Sequence, residues 1–418
     1  MLNDRLSISD MPRVSCNWRQ RLVSPRRTFA PPRPAVITIR FALLSAIALG
    51  LLTFAGTTQA DAASRWIAKA VPMATGARHE WLAAVSCSSP GTCMAVGSFT
   101  NRANHAAILA LRWNGVKWSI EPAPKPTTAR NAELTGVSCR SWRFCVAVGD
   151  SQSGKVTSTL VERWNGARWS IQSSANAASS TDSEFDDVSC TTTHSCTAVG
   201  TFASRADVSF PLVERWNGSR WRIQHAPQIG DSSTLLGVSC ASDRACAAVG
   251  VANGDEAITQ WWNGLRWTAE VEISDMDEES GLGGISCTSR NVCTAVGGTG
   301  NSAGEFVVIE RWNGKTWTFE SVDTDSGTLY GVSCPSSSAC TTVGTDGGFS
   351  LLVGRSNGTK WTLQDLPAPG GHGGSLIGVS CATAATCMTV GYATNNSSHP
   401  ISLLLAPNGT ARLPEGRG

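Results

Sequence analysis

The sequence predicts an all-β fold, a seven-bladed β-propeller of four-stranded antiparallel blades with one local disulfide per blade. The first observation is a Val-Ser-Cys phrase, once Ile-Ser-Cys, that recurs seven times with a second Cys six positions after the first. Successive copies are 47 to 52 residues apart, which is the length of one propeller blade. The second observation is an Asn-Gly pair, a hairpin signal, in every repeat.

Within one repeat the residue pattern predicts four short strands. In the second repeat these are residues 135–139, 145–149, 157–164 and 168–172, with turn residues between them. Their apolar runs fit strands that are covered on both faces, as in blades stacked round an axis. A solenoid is the competing repeat architecture, but it favours shorter repeats and dedicated end caps, so we expect the closed ring.

Each Asn-Gly pair predicts the turn between the third and fourth strands. A type I′ turn needs positive φ at both central residues, which Gly accepts freely and Asn tolerates. With Asn165 and Gly166 as a two-residue loop, Trp164 is expected opposite Ala167, and Trp164 and Trp169 are expected as diagonal neighbours on one face. Eleven of the 16 Trp residues fall in these two columns. Such a regular spacing favours core packing between blades over ligand binding.

The cysteines predict seven local disulfides. Fourteen of the 15 Cys residues form close pairs, and only Cys16 is left over. Two Cys residues at the base of a short hairpin lie close enough for a cross-strand disulfide. Zinc would need two close pairs for each ion and favours a Cys-x2-Cys spacing that the sequence lacks. The expected pairs are Cys87 with Cys93, Cys139 with Cys145, Cys190 with Cys196, Cys240 with Cys246, Cys287 with Cys293, Cys334 with Cys340, and Cys381 with Cys387.

Residues 1–63 are expected to be a signal peptide with a basic leader, and residues 64–418 the propeller. The leader combines a basic, Pro-rich region with an uncharged apolar run at 41–56 and the sequence Ala60-Asp61-Ala62. These are the parts of a secretory signal, so we expect a secreted or cell-envelope protein. The alternative is an uncleaved leader that serves as a membrane anchor, although its apolar run is short for a membrane span.

The charge balance argues against a nucleic-acid partner. Eight of the 34 basic residues and three of the 32 acidic residues lie in 1–63, so the remainder carries 26 basic and 29 acidic residues. A protein that binds phosphate backbones usually presents a basic field, which is missing here. We expect a monomer that contacts membranes only if the leader is retained.

Two ways of closing the ring follow from the sequence. Residues 64–67 are similar to the fourth-strand stretches of the repeats and could pair with the last blade. Alternatively, residues 401–413 supply a third strand, an Asn-Gly turn and a weak fourth strand of their own.

The turns are expected to divide between the two faces of the ring. The disulfide turns and the Asn-Gly turns should share one face, here named the turn face. The irregular connections should lie on the opposite face, the loop face, and loops on a rigid scaffold often carry binding residues. Some of these loops are acidic, for example at 182–187 and 275–279. Calcium is an alternative use of these carboxylates, but the EF-hand spacing is not met, so no cofactor is expected.

The candidate ligand-binding residues are Asp186, Asp187, Leu236 and Tyr330. Asp187 occupies a column that is Gly in five other repeats, while Asp186, Leu236 and Tyr330 occupy the variable column before it. Both columns directly precede the Val-Ser-Cys phrase of the innermost strand. We therefore expect these residues at the mouth of the central channel, where a ligand pocket would lie.

No catalytic residue is predicted. Gly-Val-Ser-Cys lacks the Gly-x-Ser-x-Gly pattern of a nucleophile elbow, and its Ser is interpreted as a small residue on a crowded inner strand. The six His residues are scattered without metal-binding or catalytic spacing. Asp186, Asp187, Asp275 and Asp325 could supply the paired acids of glycoside cleavage, but that chemistry depends on a separation that the sequence does not give.

One motif resembles that of a known family. Gly-x-x-Trp in six of the seven repeats resembles the end of the Asp-box of sialidase-like propellers, Ser-x-Asp-x-Gly-x-x-Trp, and this resemblance implies a propeller fold. The Asp-box Asp is replaced by Trp113, Trp164, Trp216, Trp262 and Trp312, so no active site is implied. The chain also resembles secreted bacterial proteins of Cys-paired, Trp-rich propeller repeats, a resemblance that implies export but no particular activity.

The sequence therefore predicts an exported, non-catalytic β-propeller that binds a glycan or protein ligand through loops on one face. Few titratable residues in the channel columns and abundant Gly and Ser in the loops favour this interpretation. The alternative is a polysaccharide-acting glycoside hydrolase or lyase, which the acidic positions at the ring mouth suggest. Enzymatic activity is left open, with binding favoured.

Overall fold

The structure, a computed structural model, describes residues 65–406 except 178–179, 181, 207, 271–278, 302–303, 321, 323–325, 349, 370–372 and 395–397. These residues form strands and turns and contain no helix. Accordingly, no described helix is long and apolar enough to cross a membrane. The leader expected at 1–63, Cys16, Asp275 and Asp325 lie outside the described residues.

The described strands, β1 to β28, form seven four-stranded sheets, and each sheet is one blade. Blade 1 contains β2 (His79–Ser89), β3 (Thr92–Thr100), β4 (Ala106–Trp113) and β5 (Trp118–Ile120); blade 2 contains β6 (Asn131–Ser141), β7 (Phe144–Ser153), β8 (Val156–Trp164) and β9 (Trp169–Gln172). Blade 3 contains β10 (Asp182–Thr192), β11 (Ser195–Ala203), β12 (Ser209–Trp216) and β13 (Trp221–Gln224); blade 4 contains β14 (Ser233–Ser242), β15 (Ala245–Ala252), β16 (Glu256–Trp262) and β17 (Trp267–Glu270). Blade 5 contains β18 (Glu279–Ser289), β19 (Val292–Asn301), β20 (Gly304–Trp312) and β21 (Trp317–Phe319); blade 6 contains β22 (Thr328–Ser336), β23 (Ala339–Thr345), β24 (Leu351–Ser356) and β25 (Trp361–Leu366). Blade 7 contains β26 (Gly373–Thr383), β27 (Thr386–Thr394), β28 (Ser398–Ala406) and β1 (Arg65–Lys69).

The first strands of the blades contact one another in a closed circle, so they surround the axis of a propeller. Six blades consist of four consecutive strands, whereas blade 7 takes its fourth strand from the other end of the chain. β1 pairs antiparallel with β28, and Trp66 lies opposite Leu405. Of the two closures that the sequence left open, pairing of the N-terminal segment with the last blade is therefore the one observed, over Arg65–Lys69. The alternative strand at 410–413 lies outside the described residues.

The Ser of the Val-Ser-Cys phrase links each blade to the next. In every case the Cys backbone N–H donates a hydrogen bond to the Ser Oγ of the preceding blade, as Cys139 does to Ser86 at 2.9 Å. The acceptor–donor pairs are Ser86 with Cys139, Ser138 with Cys190, Ser189 with Cys240, Ser239 with Cys287, Ser286 with Cys334, Ser333 with Cys381, and Ser380 with Cys87. The sequence analysis interpreted this Ser only as a small residue. The structure shows a further role, because its hydroxyl group accepts a hydrogen bond from the backbone of the next blade.

The glycine column before this phrase lets neighbouring inner strands approach closely. A Cβ added to Gly136 would lie 2.8 Å from the Cα of Asp187, and one added to Gly284 would lie 2.7 Å from the Tyr330 carbonyl oxygen. Such a side chain would collide with backbone, which cannot yield as a flexible side chain can. The repeated Gly is therefore required by the tight packing of inner strands around the axis.

The Trp columns form part of the core, as predicted, although the predicted turn register is wrong. Trp164 and Trp169 lie directly opposite each other with ring centroids 5.7 Å apart, and both are buried. The Asn165 N–H donates to the Arg168 carbonyl at 3.3 Å, so the central turn residues are Gly166 and Ala167. Gly166 has φ of +96° and Ala167 has no positive φ, so the turn is not of type I′, which needs positive φ at both central residues.

The offset of this turn has a local cause. The Asn165 Oδ1 accepts hydrogen bonds from the N–H groups of Ala167 and Arg168, each at 2.9 Å. The Asn side chain therefore acts as an acceptor for the turn from a flanking position, a role that Asn commonly takes in Asx-turns. Because Asn165 does not adopt positive φ, the type I′ prediction fails while the hairpin itself is confirmed.

All seven predicted disulfides are present. Each joins the first two strands of its blade across a sequence separation of six residues, with Cα atoms 3.9–4.1 Å apart. The prediction of four-stranded antiparallel blades with one local disulfide each is confirmed. Seven disulfides are typical of an oxidising, extracytoplasmic environment.

A buried polar position on the third strand anchors the loop that arrives from the preceding blade. In blade 3, Glu214 accepts a hydrogen bond of 3.1 Å from the N–H of Ala175, which lies six residues after Trp169. In blade 4 the same position is Gln260, whose Nε2 donates to the Pro227 carbonyl at 2.8 Å. Pro227 has no N–H, so an amide that can donate replaces the carboxylate acceptor.

Blade 2 departs from this pattern. Its residue at this position is Glu162, while the corresponding loop residue, six positions after Trp118, is Pro124. Proline offers no N–H to a carboxylate, and neither carboxyl oxygen of Glu162 has a hydrogen-bond partner among the described residues. Burial raises the pKa of Glu162 to about 8. The side chain is therefore a buried carboxylic acid that is largely protonated at neutral pH.

Candidate functional site

A cavity of about 170 Å³ lies on the axis of the ring. Every inner strand has a β-bulge at the same place, directly before the glycine column. Bulges re-aim side chains and are common near functional sites. The bulged residues, one from each blade, all line the cavity; in ring order they are Ala83, Thr135, Asp186, Leu236, Gly283, Tyr330 and Ile377.

All four candidate residues named from the sequence line this cavity. Asp186, Leu236 and Tyr330 come from the bulge column, and Asp187 comes from the column after it. The repeat alignment was sufficient to bring them together, because equivalent positions of a propeller lie at the same height on the axis. The cavity wall is apolar and aromatic on one side, at Leu236, Tyr330 and Ile377, and polar on the other, at Thr135 and Asp186.

Asp187 joins two blades. Its Oδ1 accepts a hydrogen bond of 2.7 Å from the N–H of Val188, and its Oδ2 accepts one of 2.9 Å from the N–H of Val238 in blade 4. Burial raises the pKa of Asp187 to about 6, and the two backbone hydrogen bonds oppose that rise. Both carboxyl oxygens are thus engaged by backbone, so Asp187 shapes the cavity wall from a fixed position.

Asp186, the residue before Asp187, also lines the cavity. It is buried, with 6% of its surface exposed, whereas the bulged residues of the six other blades are half-buried. Its neighbour Thr135 of blade 2 is held by a hydrogen bond of 2.6 Å from its Oγ1 to the Phe185 carbonyl oxygen. Asp186 therefore lies in a cavity wall whose adjacent hydroxyl group is fixed by the backbone of blade 3.

Further carboxyl groups lie at the loop-face ends of blades 2 and 3, beside the cavity. Glu133, which also lines the cavity, lies directly opposite Asp150 on the neighbouring strand. Burial raises the pKa of Asp150 well above its usual range, and the nearby negative charges of Glu133, Glu184 and Asp182 raise it further. Two facing carboxyl groups favour sharing a proton over ionising together. The cavity therefore opens beside an acidic region.

Sequence reasoning identified Asp182 and Glu184 as acidic but missed Glu133 and Asp150. The available signal was Asp150, which directly follows the Val-Gly ending of its repeat, where no other repeat has an acid. Its pairing with Glu133 depends on the register of β6 and β7, which spacing alone does not give. Within the described part of the chain, no group of three or more His, Cys, Asp or Glu side chains could hold a metal ion.

Comparisons with known proteins identify the fold. No protein-family model and no curated protein matches the sequence. Among solved structures, the chain is similar to YCF48 bound to a D1 peptide, with a TM-score of 0.53 and 13% identity over 84% of this chain and 97% of that one. YCF48 from Cyanidioschyzon merolae gives a TM-score of 0.52 with 14% identity over 82% of this chain and 99% of that one.

A structure of an ulvan lyase, from a family of polysaccharide lyases, is also similar. It matches with a TM-score of 0.51 and 7% identity over 80% of this chain and 96% of that one. At such identities the likeness shows the fold alone. The chain is a β-propeller of Trp-rich repeats, each with its own disulfide. Its Asp-box resemblance is limited to the turn, because the residues that replace the motif's Asp include the buried Trp113 and Trp164.

Proposed function

We propose that the chain is an exported, non-catalytic binding propeller that takes a glycan or protein ligand at the axial cavity, from the loop face. One observation carries the proposal. The inner strands repeat the same Ser, Cys and mostly Gly positions in every blade, yet the bulged residues that line the cavity differ in all seven. Variation confined to a cavity wall on a repeated scaffold is the arrangement expected of a recognition site.

The size and charge of the cavity favour a protein ligand that inserts one basic side chain. About 170 Å³ is below the roughly 300 Å³ at which small-molecule pockets begin, so the cavity suits a single side chain. Asp186 and Glu133 provide negative charge, while Tyr330 and Ile377 provide an apolar and aromatic wall. A Lys or Arg side chain combines an apolar stem with a cationic end and matches both.

Export is supported by two independent features. The seven disulfides are typical of oxidising compartments, and residues 1–63 have the composition of a secretory leader. The solved relatives do not choose between ligand classes, since one propeller of this fold is bound to a peptide and another is a polysaccharide lyase.

A polysaccharide hydrolase or lyase is the second candidate. Its support is the presence of Tyr330, Asp186 and Glu133 around one cavity, since a phenol and carboxyl groups are the acids and bases of glycan cleavage. Against it, the carboxyl oxygens of Asp187 are already bonded to backbone, and the cavity is small for two linked sugar rings. Binding is therefore the better supported function.

The test is a combined screen of binding and turnover. Purified protein with intact disulfides is incubated with basic and acidic peptide arrays and with a polysaccharide panel, and both retention and product masses are measured. Retention of Lys- or Arg-containing peptides that is lost in Asp186→Asn supports the proposal. Asp365→Asn, on the exposed outer strand β25, is the matched control and should retain binding. New product masses would establish an enzyme. If Asp186→Asn leaves retention intact, the ligand does not bind at the axial cavity.

A further inference from the structure

In blades 3, 5 and 6 an arginine at the same third-strand position bonds the disulfide turn of the next blade at the turn face. This arginine directly precedes the last third-strand residue before the Asn-Gly turn, as Arg215 precedes Trp216. The Arg215 Nη2 donates to the carbonyl oxygen of Asp243, in the disulfide turn of blade 4, at 2.7 Å. Its guanidinium also lies 4.5 Å from the ring centroid of Trp262. Arg311 and Arg355 bond the disulfide turns of blades 6 and 7 in the same way, at 2.6 and 2.9 Å.

Blade 4 lacks this arginine and has Trp261 in its place. The Trp261 ring lies against blade 5, with its centroid 4.8 Å from that of Trp312. An indole cannot reproduce the bond from a guanidinium to the next turn, where the equivalent carbonyl belongs to Arg290. A pocket of about 370 Å³ is present at this junction, within the range of small-molecule sites.

Hydrogen-bonding groups that are satisfied at other junctions are left over here. In blades 2, 3 and 4 the first Trp of the pair donates its Nε1–H to a carbonyl of its own disulfide turn, at 3.0, 3.3 and 3.2 Å. The corresponding Trp312 has no acceptor among the described residues, nor does the buried Nε1 of Trp261. The pocket is thus lined by Trp312 and by the disulfide turn around Arg290, whose counterparts bond each other in blades 2, 3 and 4.

The remaining lining residues define the charge of the pocket. Arg290 and Lys315 both line it, and neither side chain makes a hydrogen bond or ion pair with another described residue. Trp261, Trp262 and Trp312 supply indole surface. Two cationic side chains disfavour a cationic ligand, while aromatic surface next to hydrogen-bonding groups fits a ring that is apolar on one face and polar at its edge.

We infer that this pocket, formed where Trp261 replaces the repeated arginine between blades 4 and 5, binds an acidic sugar unit such as a hexuronate. The C–H face of the sugar ring packs on indole, its hydroxyl groups bond the Trp312 N–H and the turn around Arg290, and its carboxylate pairs with Arg290 and Lys315. This site lies on the turn face and does not depend on the proposed axial site. It adds a glycan specificity that the acidic axial cavity would disfavour.

The experiment measures binding of glucuronate and galacturonate, with glucose as the neutral comparison, to the full-length disulfide-bonded protein. Intrinsic Trp fluorescence and calorimetry are both used, because three Trp residues line the pocket. Trp261→Arg restores the repeated arginine and should fold, since that residue and its bridge occur at other junctions. We expect saturable hexuronate binding that Trp261→Arg weakens at least tenfold with no fall in Tm.

Arg290→Ala tests the charge, and Arg244→Ala, in the disulfide turn of blade 4, is its matched control. Arg290→Ala should weaken hexuronate binding several-fold while Arg244→Ala should leave it unchanged. No saturable hexuronate binding, binding that survives both Trp261→Arg and Arg290→Ala, or equal affinity for glucose would each overturn the inference. Asp186→Asn should not alter hexuronate binding, so failure here is distinguishable from failure of the axial proposal.

Discussion

The backbone N–H of Cys87 donates a hydrogen bond of 2.9 Å to the Oγ of Ser380, a residue 293 positions later in the chain. Its six counterparts join blades that are adjacent in sequence, with separations of 48 to 53 residues. This bond therefore joins the two ends of the repeat array next to the axis, while β1 and β28 join them at the outer side of blade 7.

Ser380→Ala should lower the free energy of unfolding by about 1–3 kcal/mol, because it leaves the Cys87 N–H without its acceptor in a crowded region. Ser239→Ala, which removes the equivalent acceptor for Cys287, should have a similar effect. Ser170→Ala, on the exposed outer strand β9, should change stability little. Denaturant unfolding measures the stability of all three variants. If Ser380→Ala leaves the free energy of unfolding unchanged, this hydrogen bond does not contribute to ring closure.

Removal of the closing strand should destabilise the ring. Replacing Arg65–Lys69 by a Gly/Ser linker of equal length removes the pairing with β28 and leaves that strand with an unpaired edge. Thermal unfolding should then occur at a lower temperature, with increased aggregation. An unchanged Tm would show that β1 is dispensable.

The disulfides should contribute measurably to stability. Fully reduced protein should weigh about 14 Da more than the oxidised form, since each bond accounts for about 2 Da. Changing both Cys240 and Cys246 to Ser should lower the free energy of unfolding by about 2 kcal/mol, because the loop that they close is short. Mass spectrometry and denaturant unfolding measure these effects, and free thiols at all 14 positions would contradict the assignment.

Stability should fall as pH rises from about 4.5 to about 8. Burial raises the pKa of Glu162 from 4.5 to about 8, so in this window the folded chain holds a proton that the unfolded chain has lost. The stabilising contribution is complete below pH 4.5 and disappears as pH approaches 8. Glu214, whose pKa burial raises to about 7, acts in the same direction.

Glu162→Gln should remove much of this dependence. A Gln amide stays neutral and can donate to a proline carbonyl, as Gln260 does to Pro227. We expect the variant to be more stable at pH 8 by on the order of 3 kcal/mol and similar to the original protein at pH 4.5. Asp365→Asn is the exposed control, and parallel pH profiles for Glu162→Gln and the original protein would contradict the assignment.

The fold could be predicted because its signals repeat. Cys87 and Cys93 are six positions apart in the first repeat, and every other repeat has the same spacing, which fixes strand pairing and ring order together. The axial candidates followed from the same alignment, since Asp186 and Tyr330 occupy one column. Repetition thus converts sequence position into position around the axis.

Features that depend on contacts between columns could not be predicted. The turn at Asn165 is displaced by one residue because its Oδ1 bonds the backbone, and the pairing of Glu133 with Asp150 depends on strand register. Predicting the pocket beside Trp261 would have required knowing what the arginine at this position contacts in the next blade. The substitution was visible in the sequence, but its structural effect was not.

The locality of the disulfides has a consequence for how the chain matures. Each bond joins a blade cysteine to the next one in the chain, so oxidation of the 14 blade cysteines in order of emergence gives the native pairing without reshuffling. Six blades are then complete as soon as their own four strands have appeared. Blade 7 alone must wait, because Arg65–Lys69 emerges first and its partner strand last. Maturation therefore ends in a single long-range step, and a chain that stops before β28 would display an open ring.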